Sequence, residues 1–343
     1  MNNNGKRQTI NVGVIGYGYW GPNIVRNFFT AANCSVKMVA DGRTDRLAQL
    51  AKAFPSVKGV STSDEIINSK EIDAVVIATP VFTHYPLAKK ALENGKHVLI
   101  EKPMTSSVAE AEELINLASQ KNLLLMVDHT FLYTGAIQKM KEIIDNQIIG
   151  TPRYFDSARI NLGLFQPDVN VLWDLAPHDI SILIYLIKKA PFSINATGVS
   201  HTRNNIENIA YMTVNYDSEF IAHFNCSWTS PVKVRQTLIG GDKKMIVYND
   251  LEPSEKVKIY DTGFNHKTDE DKKMIMVDYR TGDIYIPKLS LQEALSGVAN
   301  DFIQSIISQM EPLANAYLGM KVVQILEASQ ESIKNNGKEI KIR

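Results

Sequence analysis

The sequence predicts an α/β protein in two parts: an N-terminal domain built on a doubly wound parallel sheet and a C-terminal α+β domain with a large, mostly antiparallel sheet. Three observations support this prediction. Apolar β-branched runs alternate with amphipathic segments up to residue 127, long runs of alternating polarity follow Gly150, and 343 residues are many for one hydrophobic core. We therefore expect one domain at residues 1–127 and the other at residues 128–343.

The first domain is predicted from apolar runs separated by helix-like segments. The apolar runs are Ile10 to Ile15, Val36 to Ala40, Ala74 to Ala78, His97 to Ile100 and Leu123 to Val127. The helix-like segments are Asp45 to Phe54, His84 to Glu93 and Val108 to Gln120. Because buried parallel strands are apolar throughout and are joined by helical crossovers, this alternation predicts the doubly wound sheet.

The second domain is predicted from runs of period two. Strand-like runs are Ile194 to Thr202, Ile209 to Tyr216, Phe220 to Thr229 and Val234 to Ile239. Helix-like segments are Trp173 to Lys189, Leu289 to Ser308 and Leu313 to Lys334. The polar segment Gly263 to Lys273 is expected to be an exposed loop. Helices cover one face of such a sheet, so we expect its other face to pair with a second copy in a homodimer or homotetramer.

The charge balance favours a small-molecule ligand. Lys plus Arg and Asp plus Glu each number 37, so neither nucleic acid nor an anionic membrane surface has an electrostatic partner. Cys34 and Cys226, far apart, are expected to be buried thiols of a reducing compartment, and no metal motif is present. The polar N-terminus and the lack of a membrane-spanning apolar run predict a cytoplasmic protein.

A glycine-rich run, Gly16-Tyr-Gly-Tyr-Trp-Gly21, follows the first predicted strand. Gly16 allows a tight turn, Gly18 lets the backbone approach a pyrophosphate, and Gly21 lets the next helix pack closely. The run predicts a dinucleotide site that includes Tyr19 and Trp20. A plain strand–helix turn would carry the same glycines.

Asp41, at the end of the second strand, favours NAD as the dinucleotide. A carboxylate at this position accepts hydrogen bonds from the adenosine ribose and repels the 2′-phosphate of NADP. NADP stays possible as the dinucleotide because of two nearby arginines, Arg43 and Arg46, since an arginine here can pair with that phosphate. We expect Arg43 to contact the cofactor. Asp41 could also simply begin a turn.

Thr79, Pro80 and His84 follow the fourth strand and are expected to contact the cofactor. Ligands of such folds bind at the carboxyl edge of the sheet, where this segment would lie. The alternative is an ordinary loop in which His84 starts a helix.

Glu101 and Lys102 follow the fifth strand at the same edge and are expected beside the nicotinamide. A lysine in this position can stabilise a developing alkoxide or transfer a proton. Most lysines that follow a strand are instead solvated.

Asp174 and His178 are four residues apart on a predicted helix, so they share one face. A carboxylate and an imidazole in this arrangement can act together on a substrate hydroxyl. The alternative has Asp174 as a helix cap, Pro177 in the first turn and His178 as a core residue.

Together the glycine run, Glu101-Lys102-Pro103 and Asp174-Leu-Ala-Pro-His178 resemble the Gfo/Idh/MocA family of oxidoreductases over essentially the whole chain. The resemblance implies a Rossmann domain that binds NAD, followed by a substrate-binding and oligomerisation domain. It implies that Lys102, Asp174 and His178 are catalytic, and that no metal is required.

The local sequence around His129 and Tyr133 is similar to family members that act on nucleotide sugars. Many members have an Asn and an Arg-Phe pair at this position, from which this chain departs. The resemblance implies that His129, Tyr133, Arg159 and Asn161 bind substrate together with the three catalytic residues, with Arg159 able to bind a diphosphate. Strand alternation leaves open the face on which Arg159 lies.

The implied reaction is NAD-dependent oxidation of the 3-hydroxyl of UDP-N-acetylglucosamine to a ketone, for a surface-polysaccharide or lipid A amino-sugar pathway. His178 would act as the base, Lys102 would stabilise the alkoxide, and Asp174 would orient the hydroxyl or the histidine. Alternatives are another substrate (UDP-N-acetylglucosaminuronate, a dTDP-ketosugar or inositol) or a non-catalytic NAD-binding regulator.

Overall fold

A computed structural model describes residues 9–163, 165–166, 168–202, 205–216, 219–265 and 278–342. Internal packing divides the chain into two compact units. The first runs up to Tyr133 and takes in Gln292–Gln324, and the second comprises Thr134–Leu291 and the residues from Ile325 onward. This division differs from the predicted single boundary at residue 127, because a late segment of the chain packs with the first unit.

The helices have the following bounds. In chain order they are α1 (Gly21–Thr30), α2 (Thr44–Ala53), α3 (Ser63–Ile67), α4 (His84–Glu93), α5 (Val108–Gln120), α6 (Gly135–Asp145), α7 (Val171–Leu186), α8 (Ala294–Ser308) and α9 (Ala316–Lys334). Single 3₁₀ turns occur at Val81–Thr83 and Thr130–Tyr133. Among the described residues, no helix is long and apolar enough to cross a membrane.

The first unit contains a six-stranded, wholly parallel sheet in the order β3-β2-β1-β4-β5-β6. Its strands are β1 (Ile10–Ile15), β2 (Cys34–Ala40), β3 (Lys58–Val60), β4 (Ala74–Ile77), β5 (His97–Glu101) and β6 (Leu125–Asp128). The predicted doubly wound parallel sheet is confirmed. The three-residue β3 is too short to be read from apolar periodicity.

Helix α8, predicted as a closing helix of the second domain, belongs to the first unit. Glu293 at its N-cap accepts two hydrogen bonds from the Arg26 guanidinium of α1, at 2.5 and 3.0 Å. Phe302 of α8 packs edge-on against Phe28 of α1, with ring centroids 6.1 Å apart. An ion pair and an aromatic contact thus attach this late segment to the first helix.

The second unit contains a nine-stranded sheet in the order β16-β13-β12-β11-β7-β10-β9-β8-β17. Its strands are β7 (Pro152–Leu162), β8 (Ser193–Val199), β9 (Ile209–Asn215), β10 (Ile221–Ser227), β11 (Thr229–Gly241), β12 (Met245–Asn249), β13 (Val257–Tyr260), β16 (Ile284–Tyr285) and β17 (Ile340–Lys341). Every pairing is antiparallel except that of β7 with β10. The predicted mostly antiparallel sheet is confirmed.

The two faces of this sheet differ as the alternation along β10 predicts. Ala222 and Phe224 are fully buried on the face on which α7 packs, whereas Ile221 is 48% exposed on the other face. The predicted loop at 263–273 falls largely outside the described residues. Its first residues form β14 (Gly263–Asn265), paired with β15 (Asp278–Arg280), and are therefore strand rather than loop.

Candidate functional site

The glycine turn after β1 is closely packed at Gly16 and Gly21 and open at Gly18. Gly16 has φ +101°, and a Cβ there would lie 2.3 Å from the Ala78 carbonyl oxygen. A Cβ at Gly21 would lie 2.7 Å from the Gly16 carbonyl oxygen, whereas at Gly18 it would meet nothing within 4 Å. Packing therefore requires Gly16 and Gly21, and the backbone at Gly18 faces open space that a pyrophosphate can approach.

The Asp41 carboxylate is fixed at the end of β2 by two backbone donors. Tyr17 N donates to Oδ2 and Arg43 N donates to Oδ1, each at 2.9 Å. The bond from Arg43 N is the turn contact expected if Asp41 begins a turn. The bond from Tyr17 N ties Asp41 to the glycine turn. A carboxylate held beside that turn fits the ribose of NAD, since its oxygens retain further acceptor capacity.

His84 lies between two loops at the carboxyl edge of the sheet, with each ring nitrogen close to a backbone carbonyl oxygen. Its Nδ1 lies 2.9 Å from the Pro103 carbonyl oxygen and its Nε2 lies 2.7 Å from the Thr79 carbonyl oxygen. Burial lowers the pKa of this histidine, which is 1% exposed. His84 thus lies between the loop after β4 and the loop after β5, and its predicted cofactor contact stays a prediction.

Thr79 and Pro80 remain candidates for cofactor contact, since both belong to the loop that follows β4. Thr79 Oγ1 lies 2.6 Å from Thr83 Oγ1, and Thr83 Oγ1 donates to the Pro80 carbonyl oxygen at 2.6 Å. These bonds fix the loop from within. At the glycine turn, Tyr19 is 85% exposed and Trp20 53% exposed, with their rings in edge contact; their predicted cofactor contacts stay predictions.

Glu101 and Asp128 form a carboxyl pair at the ends of β5 and β6. They are register partners on adjacent strands, and their side chains are hydrogen-bonded to each other. Burial, together with the charge of Asp128, raises the pKa of Glu101 to about 8, and burial also raises the pKa of Asp128. Two carboxyls can hydrogen-bond to each other only if one of them holds a proton, so the pair shares one. The predicted cofactor contact of Glu101 stays a prediction.

Lys102 follows this pair directly, and its backbone N donates to Glu101 Oε2 at 3.2 Å. Its charge acts on both carboxyls and on the rings of His84 and His129. The residue thus lies among the titratable groups at the carboxyl edge of the parallel sheet, where the sequence analysis places it.

His129 and Tyr133, both predicted to bind substrate, are enclosed within the first unit. His129 is 1% exposed, and burial together with the Lys102 charge lowers its pKa to about 3, so its ring is neutral. Tyr133 donates its hydroxyl to Asp301 Oδ2 at 2.6 Å and accepts from Ala314 N. The Tyr133 hydroxyl thus connects the 3₁₀ turn to α8 and the segment that follows it, and the predicted substrate contacts of His129 and Tyr133 stay predictions.

Asp174 and His178 lie on α7 of the second unit, one turn apart. The helix is capped by Asn170, whose Oδ1 accepts from Leu172 N and Trp173 N, so Asp174 is not the cap. Asp174 Oδ2 instead accepts the indole N–H of Trp228 at 2.9 Å. The alternative interpretation of Asp174 as a helix cap is thereby excluded.

Arg159 lies in a buried ion pair on β7. Its guanidinium donates to both oxygens of Asp179, at 2.8 and 2.7 Å, and both side chains are 4% exposed. Arg159 lies on the helix-covered face of β7 and binds the residue after His178, and its predicted substrate contact stays a prediction. Asn161, two residues further along β7, is half-buried, and its predicted substrate contact stays a prediction.

Three residues missed in the sequence analysis complete these arrangements: Asp128, Asp179 and Trp228. A carboxylate at the end of an apolar strand is the only signal that could have singled out Asp128. The partner of Asp179 lies 20 residues away and that of Trp228 lies 54 residues away, so no local pattern marks either residue.

Comparison with known proteins identifies both parts of the chain. Residues 10–129 match the family description "Oxidoreductase family, NAD-binding Rossmann fold" of GFO_IDH_MocA, and residues 137–247 match "GFO/IDH/MocA C-terminal domain". The UDP-N-acetylglucosamine 3-dehydrogenase of Acidithiobacillus ferrooxidans is 34% identical over 212 residues, 59% of this chain and 63% of that protein. The scyllo-inositol 2-dehydrogenase (NADP(+)) of Bacillus subtilis is 27% identical over 62% of this chain and 61% of that protein. The match thus spans less than two thirds of either relative.

Solved structures share the fold over nearly the full length. The structure of UDP-N-acetylglucosamine 3-dehydrogenase from A. ferrooxidans superimposes with a TM-score of 0.80 at 23% identity, covering 96% of this chain and 99% of that chain. An oxidoreductase from Agrobacterium radiobacter in complex with NAD+, L-tartaric acid and magnesium gives a TM-score of 0.82 at 16% identity, covering 97% and 98%.

Proposed function

Because this chain belongs to the Gfo/Idh/MocA family of oxidoreductases, with an NAD-binding Rossmann fold in its first unit, we propose that it oxidises a hydroxyl of a nucleotide sugar to a ketone. The substrate we propose is UDP-N-acetylglucosamine, oxidised at its 3-hydroxyl. The observation that carries this choice is the 34% identity over 212 residues to an enzyme named for that reaction. The ketone would serve amino-sugar synthesis for a surface polysaccharide or lipid A.

The residues that would hold the cofactor lie in the first unit. Gly18 leaves space for the pyrophosphate, and the Asp41 carboxylate, fixed beside the turn, suits the ribose hydroxyls of NAD and repels a 2′-phosphate. When bound, NAD+ supplies the hydride acceptor. Arg43 has an exposed side chain whose Nε lies 3.6 Å from Asp41 Oδ1, which favours pairing with that carboxylate over pairing with a 2′-phosphate.

In the proposed reaction the sugar loses a proton from its hydroxyl group and a hydride from the carbon that carries it. His178 takes the proton of the sugar hydroxyl, because an imidazole exchanges protons near neutral pH. Lys102 stabilises the negative charge that develops on the oxygen, and Asp174 orients the hydroxyl or the histidine. As the C–H bond breaks, its electron pair leaves with the hydride, and the alkoxide becomes a ketone.

We further propose that the enzyme is a cytoplasmic homo-oligomer. On the face of the nine-stranded sheet opposite α7, Ile221 and Tyr211 are 48% and 47% exposed, and their side chains are apolar enough to be buried against a second copy. Cys34 and Cys226 are free thiols, which supports the proposal of a reducing compartment. Size measurement in solution tests the oligomer, and a monomer would contradict it.

Single-turnover kinetics test the residue assignment. Lys102→Met and His178→Asn should each slow NAD reduction by UDP-N-acetylglucosamine at least about a hundredfold, since each removes one acid–base or electrostatic contribution. Lys70→Met, a surface lysine of the same unit, is the control for loss of a positive charge. If both active-site variants reduced NAD at the wild-type rate, the assignment would be wrong.

A substrate panel separates the alternatives. The 27% identity to a scyllo-inositol dehydrogenase favours a free cyclitol as the second candidate. Oxidation of inositol without oxidation of any UDP-sugar would replace the proposed substrate. NAD binding without turnover of any sugar, together with a tight protein partner, would favour a regulator.

A further inference from the structure

The carboxyl pair Glu101–Asp128 has no role in the reaction proposed above. Asp128 is 3% exposed and accepts a 2.5 Å hydrogen bond from Thr130 Oγ1 in addition to its contact with Glu101. Glu101 accepts from the backbone N of Lys102. The pair thus connects the end of β6 to the residue that carries the proposed catalytic ammonium.

Few charged groups face this pair. From the loop after β5 the Lys102 ammonium faces it, and from the segment after β6 the neutral ring of His129 and the hydroxyl of Thr130 adjoin it. Tyr133 of the following 3₁₀ turn, whose hydroxyl is bonded to Asp301 of α8, also interacts electrostatically with Asp128. Lys102 is therefore the one cation that acts on the pair among the described residues.

We propose that Asp128 is a positioning residue for Lys102: its carboxyl and that of Glu101 share one proton, and this shared proton holds the end of β5 in the arrangement in which Lys102 meets the substrate hydroxyl. The inference rests on the proposed function, since it assigns Asp128 a part in that reaction.

The number of protons on the pair sets its negative charge, and this charge determines how strongly the pair attracts the Lys102 ammonium. With one proton the carboxyls bind each other and carry a single negative charge. Without it, two carboxylates in contact repel each other, and their double charge attracts the Lys102 ammonium away from the substrate. Because burial raises the pKa of Glu101 to about 8, this change occurs just above neutral pH.

The kinetic test compares two substitutions of Asp128. In the wild type, kcat/KM should fall as the pH rises through about 8, following the raised pKa of the pair. Asp128→Asn supplies an amide N–H that no titration removes, so its kcat/KM should match the wild type at pH 7 and should not fall through that range. Asp128→Ala, which has no group to bond Glu101, should lose at least about tenfold in kcat/KM at every pH. Glu113→Gln, a surface carboxylate paired with Lys89, is the control and should retain the wild-type profile.

Two measurements need no substrate. In the infrared spectrum of the free enzyme, the C=O stretch of a protonated carboxyl should be present at pH 7 and vanish near pH 8, with a midpoint at least one pH unit lower in Asp128→Asn. Above pH 8, acetic anhydride should label Lys102 several-fold more slowly in the wild type than in Asp128→Asn.

An alkaline fall in kcat/KM that persists in Asp128→Asn would overturn the inference. A wild-type spectrum without the carboxyl band at pH 7, or equal labelling of Lys102 in the two proteins, would also overturn it. If the spectrum and the labelling behave as expected but no sugar is oxidised, the proposed reaction fails while the link between the carboxyl pair and Lys102 stands.

Discussion

The indole N–H of Trp228 donates a 2.9 Å hydrogen bond to Asp174 Oδ2. Trp228 is 1% exposed and lies between β10 and β11, whereas Asp174 lies in the first turn of α7. A buried donor thus fixes the direction of the carboxylate that we assign to the substrate. Because a buried indole is rigid, the contact orients Asp174 more strictly than a solvent molecule would.

Trp228→Phe should lower kcat/KM by about ten- to a hundredfold, since a hydrogen bond to a charged group contributes about 1.5–3 kcal/mol. The phenyl ring keeps most of the packing and loses only the donor. Steady-state kinetics on the proposed substrate measure the effect, with Trp173→Phe as the control for loss of an indole on α7 itself. Wild-type activity in Trp228→Phe would show that the contact does not orient Asp174.

Gly18→Ala should weaken NAD+ binding, whereas Gly16→Ala should lower the stability of the fold. At Gly18 a Cβ meets open space, so the variant should keep the wild-type unfolding free energy within about 0.5 kcal/mol while NAD+ binds at least about tenfold more weakly. At Gly16 the positive φ and the Ala78 carbonyl oxygen should cost about 1–3 kcal/mol of stability. Urea denaturation and calorimetric titration with NAD+ measure the two quantities. Unchanged NAD+ affinity in Gly18→Ala would place the cofactor elsewhere.

Asp41→Asn should reduce the preference for NAD+ over NADP+ by about tenfold or more, because it removes the charge that repels a 2′-phosphate. The amide has one oxygen acceptor, so only one of the two backbone donors, Tyr17 N or Arg43 N, keeps its bond. The ratio of kcat/KM for the two cofactors measures the change, with Asp45→Asn on α2 as the control for a lost surface charge. An unchanged ratio would mean that other residues determine the preference for NAD+ over NADP+.

Arg159→Met should lower the free energy of unfolding by about 3–5 kcal/mol, because it leaves the Asp179 carboxylate buried without its partner. The double variant Arg159→Met/Asp179→Leu should recover most of that loss, since it removes both charges. Urea denaturation measures both. If Arg159→Met kept wild-type stability and instead raised KM for the UDP-sugar, the arginine would be a diphosphate ligand after all.

The features of the fold that depend on local sequence patterns could be predicted. The strand Ile10–Ile15, the turn conformation at Gly16 and the position of Lys102 at the end of β5 all follow from apolar runs and from glycine stereochemistry. Alternation along β7 could not place Arg159, because it separates two faces without saying which one a helix covers. Nothing near Tyr133 in the sequence indicates its partner Asp301, which lies 168 residues away. Long-range pairs of this kind form in the tertiary fold and leave no periodic signal.

The central claim is that the chain removes a hydride from C3 of UDP-N-acetylglucosamine. The most direct test incubates the purified protein with NAD+ and UDP-N-acetylglucosamine that carries deuterium at C3, and follows the label by NMR. The proposed function predicts NADH with deuterium at C4 of the nicotinamide and a ketone at C3 of the sugar. Unlabelled NADH, or no NADH at all while free inositol is oxidised, would contradict it.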